Sequence, residues 1–556
     1  MCSFCATSAL LLMGLAQTWN GRNMMNPDGI SYIEIGLAYV NRDWASAVNP
    51  YWSPLYSWAL GAILHIFQKA PFHEFVLVHF VNFGIYVLAL LCFRFFLGEL
   101  IRYQEELAGL GSFPPLPIWV WQLFGYSLFL SSNLDLIRTN MVTPDMAVSA
   151  FVYLSAGLLM RIRRGQTGWS SFAGLGLVLG FGYLAKSVLF VFALVVIIVG
   201  FSFVRMHRIP AVRLLLAIML FLLVAGPFIT TISRHKSRLT IGESGWLTYM
   251  FAVNGFPRGY LHGWLSNANF HLKHPPHEIH REPAVYEFGD AVGGSCPAWY
   301  ETSYWYDGAR ILFVAKNQAL AFLQNIFRYS RILFAHQASL VAGILMLFFL
   351  GGSTRNLVRG IAELWFLLAP AMALLGLYFV IHIENRYVSP FLLVTWAALF
   401  FGLRIQASPQ ARRVQQAVLL ATAGTLVAPI ALQIAEDAIR GLPYPQNSSS
   451  QTRALKDQNV AAELNKFGTR EKDKVAFIGD SVPVYWAHLA KVRIVAEIPA
   501  EDVDRFYESG QARRESTLKA LASTGAKIAV GDRSPADDKR WHQLGTTGYY
   551  VFELNR

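Results

Sequence analysis

The sequence predicts a polytopic α-helical membrane protein that carries a small C-terminal α/β domain outside the membrane. Three observations lead there. Only 15% of the 556 residues are charged while 54% are hydrophobic, where soluble domains carry about 25% charged residues. Apolar runs of about 17–25 residues, the length that crosses a bilayer, recur through the first three quarters of the chain. From about residue 441 the composition becomes that of a soluble domain.

Taken in order, the first apolar segment runs from about 3 to 19. It lacks a basic leader and an Ala-x-Ala site, so it reads as a spanning helix with its N-terminus cytoplasmic. The loop to Tyr56 is then outside. Ser53 to Phe67 is apolar but short, which suits an interfacial helix better than a span, and Pro54 fits its first turn. Spans follow near 72–97, 117–132, 143–160, 169–185, 187–204, 212–230, 334–351, 361–381, 388–404 and 414–434. With the first segment this makes about eleven. The loops placed inside after the first are basic: Arg161, Arg163 and Arg164; Arg205, Arg208 and Arg213; Arg355 and Arg359; Arg404, Arg412 and Arg413. That distribution obeys the positive-inside rule and puts the C-terminal region outside.

Two domains are expected, 1–440 in the membrane with external loops 20–71 and 231–333, and 441–556 outside. Residues 231–310 are rich in Gly, Pro, His and aromatics, and are too long for an idle connection. Residues 311–333 read as an amphipathic helix along the interface. In the last domain KVAFIGD, KVRIVAEI, AKIAVGD and YYVFEL read as four strands, with a helix over 500–523.

The formal net charge is +12 and the mean hydropathy +0.37. Short basic loops explain the excess through membrane orientation, which excludes nucleic acid as a partner and suits membrane lipids or a lipid phosphate. The four cysteines, Cys2, Cys5, Cys92 and Cys296, suggest no disulfide framework.

The residues that could carry chemistry lie on the outer side. Asn26-Pro27-Asp28-Gly29 opens a helix that also carries Glu34. Alone, Asp28 reads equally as a turn or cap residue. Thr143-Pro144-Asp145 opens a later span and has the form of a good helix start. Lys186 interrupts a long apolar run, where a cation costs about 2.5–3.5 kcal/mol on insertion scales unless it has a purpose or an exit. His382-Ile383-Glu384-Asn385-Arg386-Tyr387 stands at the outer end of a span, where Glu384 and Arg386 could simply pair. HLKHPPHEIH, with His271 and His274, is dense enough in histidine to suggest a metal, but Pro275 and Pro276 prevent a readable ligand geometry. The run Trp299, Tyr300, Tyr304, Trp305, Tyr306 suits an interfacial aromatic belt.

In this order, an external acid, Pro54-Leu55-Tyr56, Thr143-Pro144-Asp145, the membrane Lys186 and a late Arg386-Tyr387, the chain resembles the GT-C glycosyltransferases. It looks most like protein O-mannosyltransferases and the lipid A aminoarabinose transferases. The resemblance covers about residues 1–404. It implies an inverting transfer from a polyprenyl-phosphate-linked sugar to an acceptor (lipid, glycan or protein) on the external face, with Asp28 as the catalytic carboxylate. The family often has Asp-Glu there; Gly29 replaces the second acid, which leaves Glu34 as another candidate. Asp145 is implied to orient the site or bind a divalent metal. Lys186 and Arg386, with Arg138, are implied for the donor phosphate, and Tyr56, Glu384 and Tyr387 for substrate. The bacterial inner membrane is the expected location. The alternative is a lipid or sugar transporter or flippase, against which stand the absence of an inverted repeat and the presence of a folded external domain. Gly479-Asp480-Ser481 resembles the nucleophile motif of SGNH hydrolases, but Asp538 and His542 are one residue too far apart for that family's second motif. A lid or acceptor-docking role is the expectation for this domain.

Overall fold

The computed structural model describes residues 2–67, 73–109, 116–256, 272–350, 354–405, 408–440, 449–482 and 484–554. They form two compact units, each assembled from separate stretches. One holds Met1–Arg22, His79–Ile241 and Phe313–Tyr444; the other holds Asn23–Val78, Gly242–Leu312 and Pro445–Arg556.

The first unit is helical. All eleven apolar segments expected to span contain helix. Among the described residues, five helices are long and apolar enough to cross a bilayer: Glu74–Ala108, Asp145–Arg163, Leu189–His207, Ala211–His235 and Pro409–Ile439. A sixth crossing can be made from a bent pair, Ala315–His336 and Ala338–Phe349, which meet at 81°. The amphipathic stretch expected along the interface is therefore continuous with the next apolar segment through a sharp break. Its apolar residues Leu323 and Phe327 face outward. Trp169–Ala185 and Trp365–Ile381 are shorter apolar helices.

Helices in lipid gain no hydrophobic drive from meeting each other, so close approach of small residues holds them. Trp169–Ala185 packs on Ala211–His235 in that way. A Cβ on Gly176 would lie 2.3 Å from the Ala217 carbonyl oxygen, and one on Gly180 would lie 2.6 Å from Val224 Cβ. The spacing of these two glycines is the small-xxx-small pattern of close helix pairs. Arg161 and Arg163 close the last turn of Asp145–Arg163, where cations complement the helix dipole. Arg164 pairs with Glu99 and Glu106.

The second unit joins residues 23–78 to a seven-stranded mixed sheet. Its strands are β1 (His277–Arg281), β2 (Ala284–Glu287), β3 (Lys474–Ile478), β4 (Arg493–Ile498), β5 (Ile528–Gly531), β6 (His542–Gln543) and β7 (Tyr550–Glu553), in spatial order β1-β2-β4-β3-β5-β7-β6. The four strands expected from sequence are β3, β4, β5 and β7. β4 and β5 run parallel to β3 on either side of it, and being covered on both faces the three strands are mostly apolar, with Glu497 of β4 the buried exception. The helical stretch expected over 500–523 divides into Val503–Glu508 and Gln511–Ser523.

The hairpin β1–β2 was not expected. It comes from the stretch 242–312 and joins the edge of the sheet through Tyr286 and Glu287, which pair antiparallel with Glu497 and Ala496. The core between sheet and helices includes Val285, Val495, Phe506, Leu521, Trp541 and Phe552.

In the same unit, the helices Pro27–Val40 and Pro54–Phe67 cross with backbones nearly touching. A Cβ on Gly36 would lie 2.4 Å from the Ser57 carbonyl oxygen, and one on Gly61 would lie 2.4 Å from the Gly36 carbonyl oxygen. The aromatic run is mostly core here rather than an interfacial belt: Tyr300, Trp305 and Tyr306 are buried. Their rings fill space beneath the sheet and around the first loop, where Phe288 meets Trp305 edge-on at 5.8 Å.

Candidate functional site

Each unit carries a distinct group of the residues singled out from sequence. In the helical unit, Asp145 is the first residue of Asp145–Arg163, with Pro144 in the capping position before it. Lys186 ends Trp169–Ala185 in an extended conformation (φ −158°, ψ 128°). The long apolar run is thus broken at Lys186, and the ammonium stands at a helix C-terminus, where a cation is favoured. Arg386 sits in the first turn of Asn385–Gly402, preceded by Glu384 in the capping position.

These three helix ends bring their charges together. Lys186 Nζ lies 2.6 Å from Asp145 Oδ1, and Arg386 Nη1 lies 3.6 Å from Asp145 Oδ2. Asp145 is 2% exposed. Arg386 Nε donates to Glu384 Oε2 at 2.9 Å. The Lys186 ammonium also lies 3.8 Å from the centre of the Tyr387 ring, an attractive geometry for a cation over a π face.

A second layer continues from Glu384. Arg328 Nη1 donates to His382 Nδ1 at 2.6 Å, and His382 Nε2 faces Glu384 Oε1 at 3.3 Å. Arginine can only donate, so Nδ1 accepts and Nε2 carries the proton. His382 is thereby fixed as the link between Arg328 and Glu384. Counting Asp145, Glu384, Lys186, Arg386 and Arg328, the group holds one more cation than anion. Sequence reasoning named four of its residues and missed Arg328, whose only signal is its place in the amphipathic helix Ala315–Arg331.

Arg138, expected beside Asp145 and the donor phosphate, is instead engaged elsewhere. Its Nε donates to the Asp135 carbonyl at 3.3 Å, at the end of the π-helical turn Ser131–Ile137. The wide π turn and the positive φ of 71° redirect the chain at Arg138, which no sequence pattern shows. Asp135 pairs with His336 at 2.9 Å.

A divalent cation does not fit at Asp145. Its carboxylate is already flanked by an ammonium and a guanidinium, and a metal would add a third positive charge to one anion. Among the described residues no group of three His, Cys, Asp or Glu side chains could hold a metal ion. His274 stacks flat on Tyr304 at 4.2 Å, and His271 lies outside the described residues.

In the other unit, Asp28 is the second residue of Pro27–Val40 and is partly exposed. It does not cap the helix; Asn26 occupies the capping position. Trp299 Nε1 donates to Asp28 Oδ1 at 3.3 Å. Trp299 meets Trp52 at 6.2 Å, and Trp52 meets Tyr32 edge-on at 4.9 Å. Tyr56, expected to touch substrate, is 1% exposed and packs edge-on against Tyr32. It is a core residue of the two crossing helices, placed there because its position in Pro54–Phe67 faces Pro27–Val40.

Glu34, six residues after Asp28, points into the unit. It accepts from the Ser295 N–H at 3.1 Å and from His488 Nδ1 at 3.0 Å. His488 Nε2 donates to Glu74 Oε1 at 2.7 Å. With both ring nitrogens donating, His488 is an imidazolium held between two carboxylates. Burial alone would lower its pKa, but Glu74 and Glu34 outweigh burial and push it up to about 10. Nothing in Trp486-Ala487-His488-Leu489 marks this histidine in the sequence.

Ser481 does not meet His542. It is buried, 3.6 Å from Cys296 Sγ, while His542 is exposed at the sheet edge and rests against Phe467. Asp538 pairs with Arg540. The nucleophile–base arrangement of a hydrolase is not formed by these residues.

No protein-family model matches the chain, and no curated protein sequence does. Solved structures do. The apo form of ArnT from Cupriavidus metallidurans is similar over 99% of this chain and 98% of its own, with TM-score 0.52 and 12% identity. The chain has a GT-C-like fold. The same ArnT bound to undecaprenyl phosphate gives a TM-score of 0.49 at 10% identity, covering 99% of this chain and 97% of that one. The oligosaccharyltransferase of Archaeoglobus fulgidus, in complex with Zn and sulfate, gives 0.48 at 12% identity, covering 96% of this chain and 68% of that one. The GT-C-like fold, with its apolar helices, makes the chain an integral multi-pass membrane protein.

Proposed function

We propose that this protein is an inverting membrane glycosyltransferase that moves a sugar from a polyprenyl-phosphate-linked donor to an acceptor. The observation that carries the reading is the cluster of Lys186, Arg386 and Asp145, two cations gathered on one buried carboxylate at three helix ends. A phosphate is the ligand such a pair suits: the guanidinium offers a planar fork and the ammonium a mobile point charge. Asp145 keeps the two cations together against their mutual repulsion. Glu384, fixed through His382 by Arg328, orients Arg386.

In the transfer, the acceptor hydroxyl oxygen bonds to the anomeric carbon as its proton passes to the Asp28 carboxylate. The bond from that carbon to the phosphate oxygen breaks, and its electron pair leaves with the lipid phosphate. Lys186 and Arg386 stabilise the charge that develops on that oxygen. Asp28 acts as general base, a role that contributes on the order of 10²–10⁴-fold. Trp299 holds its carboxylate in place. Glu34 is a positioning residue, because its oxygens are engaged by Ser295 and His488. Tyr387 lies against Lys186 and shapes the donor side. The reaction is placed on the external face of a bacterial inner membrane, with the N-terminus cytoplasmic and the sheet outside.

The test is donor cleavage in lipid nanodiscs with a panel of polyprenyl-phosphate sugars and membrane extract as acceptor source. Turnover by the wild type that falls at least a hundredfold in both Asp28→Asn and Lys186→Gln supports the reading. Sugar or lipid translocation across sealed vesicles, with no donor cleavage, would replace it with a transporter.

A further inference from the structure

The sheet carries a cavity of about 580 Å³ that the proposed transfer does not use. That volume lies in the range of small-molecule sites, about 300–1,000 Å³. Its place follows from the topology. The chain runs from β3 to β4 on one side, then crosses to β5 on the other side, with all three strands parallel. Open α/β sheets bind ligands at the carboxyl ends of the strands where the connections diverge in this way. The cavity is lined by Gly479 and Asp480 after β3, and by Asp532 and Arg533 after β5.

The lining chooses the ligand. Asp457 is 2% exposed and accepts one backbone N–H, that of Tyr485, at 2.9 Å. Asp480 accepts the Val482 N–H at 3.1 Å. A carboxylate has about four acceptor positions, so both retain capacity for hydrogen-bond donors from the cavity. Burial pushes each of them up to about 6, the signature of carboxylates short of such donors. Gly479 has φ +141°, and a Cβ there would strike the Phe477 ring at 2.9 Å; the glycine lets the strand end turn.

Three cations also line the cavity, Arg453, Lys456 and Arg533, and two of them are engaged. Arg533 pairs with Asp504 and lies 3.8 Å from Asp532. Lys456 stands 4.5 Å over the Tyr549 ring. With four aspartates against three cations the lining offers a phosphate no net positive charge, whereas a molecule with several hydroxyls supplies the donors that Asp457 and Asp480 can accept. Tyr549, one face of which Lys456 covers, adds an aromatic ring to the lining.

We propose that this cavity is a carbohydrate-binding site that holds a sugar of the acceptor. The word acceptor rests on the transferase reading above; the binding itself does not. The test is saturation-transfer NMR on the full chain in lipid nanodiscs, with methyl glycosides of hexoses, N-acetylhexosamines and pentoses at neutral pH. At least one glycoside is expected to bind with a millimolar constant. Asp480→Ala should weaken it at least fivefold, and Asp480→Asn, which keeps the bond to Val482, should weaken it less. Donor hydrolysis without acceptor, measured on the same sample, should be unchanged in both variants. Binding by no glycoside, binding indifferent to Asp480→Ala, or inorganic phosphate or calcium ion binding in place of sugar would each overturn the proposal. Loss of donor cleavage in the wild type would strike only the transferase reading.

Discussion

Lys186 Nζ lies 2.6 Å from Asp145 Oδ1, and the two residues stand at opposite kinds of helix end. Asp145 opens its helix and Lys186 closes another, so each charge also meets the favourable pole of a helix dipole. Breaking such a buried pair from one side leaves an uncompensated charge and costs about 3–5 kcal/mol. Lys186→Gln should therefore both lower the thermal midpoint and abolish donor cleavage. The double variant Lys186→Gln with Asp145→Asn should recover most of the stability and none of the activity. Thermal unfolding and turnover on the same samples separate the two effects.

Asp28→Asn keeps an oxygen that can accept from Trp299 Nε1. The fold should be unchanged, with a thermal midpoint near that of the wild type. Turnover should fall by about 10²–10⁴-fold, the contribution of a positioned base. Trp299→Phe, which removes the hydrogen bond and keeps the ring, should give a smaller loss of turnover with little change in donor affinity.

His488 supplies a pH dependence whose sign is fixed by its raised pKa. Its stabilisation is complete below its ordinary value of 6.5 and is lost as pH rises through about 10. Glu497 acts in the same direction: burial pushes it up to about 8 from 4.5, so stability is lost as pH rises across that interval. The thermal midpoint of the wild type should fall from pH 7 to pH 10. In His488→Gln the midpoint should be lower at pH 7 and nearly flat between pH 8 and 10, where Glu497 has already ionised. A pH series of melting curves reads both.

Gly36→Val should destabilise the crossing of Pro27–Val40 with Pro54–Phe67. The added Cβ would lie 2.4 Å from the Ser57 carbonyl oxygen and 2.8 Å from the Gly61 nitrogen. Both are backbone atoms, which cannot swing aside as a side chain can. Overpacking of this kind costs about 1–3 kcal/mol. Gly84→Val, where a Cβ would meet nothing within 4 Å, is the control and should leave the thermal midpoint close to that of the wild type.

Membrane class, the eleven helical segments and the four main strands are legible in the chain alone. Those follow from composition and from hydrophobic runs whose lengths match a bilayer or a buried strand, both properties of contiguous residues. It also pointed to Asp145, Lys186, Glu384 and Arg386, because charges beside long apolar runs are costly and stand out. Which of them meet depends on how distant helices pack. The Asp145–Lys186–Arg386 group joins three helices far apart in the chain, while Arg138, at the end of a π turn, donates to the Asp135 carbonyl instead. Tyr56 moved from substrate to core for the same reason: its helix face was set by a glycine crossing that no local pattern encodes. His488 and the hairpin β1–β2 were invisible because their partners, Glu34, Glu74 and β4, lie hundreds of residues away. Periodicity reports what a segment buries; it does not report against which other segment.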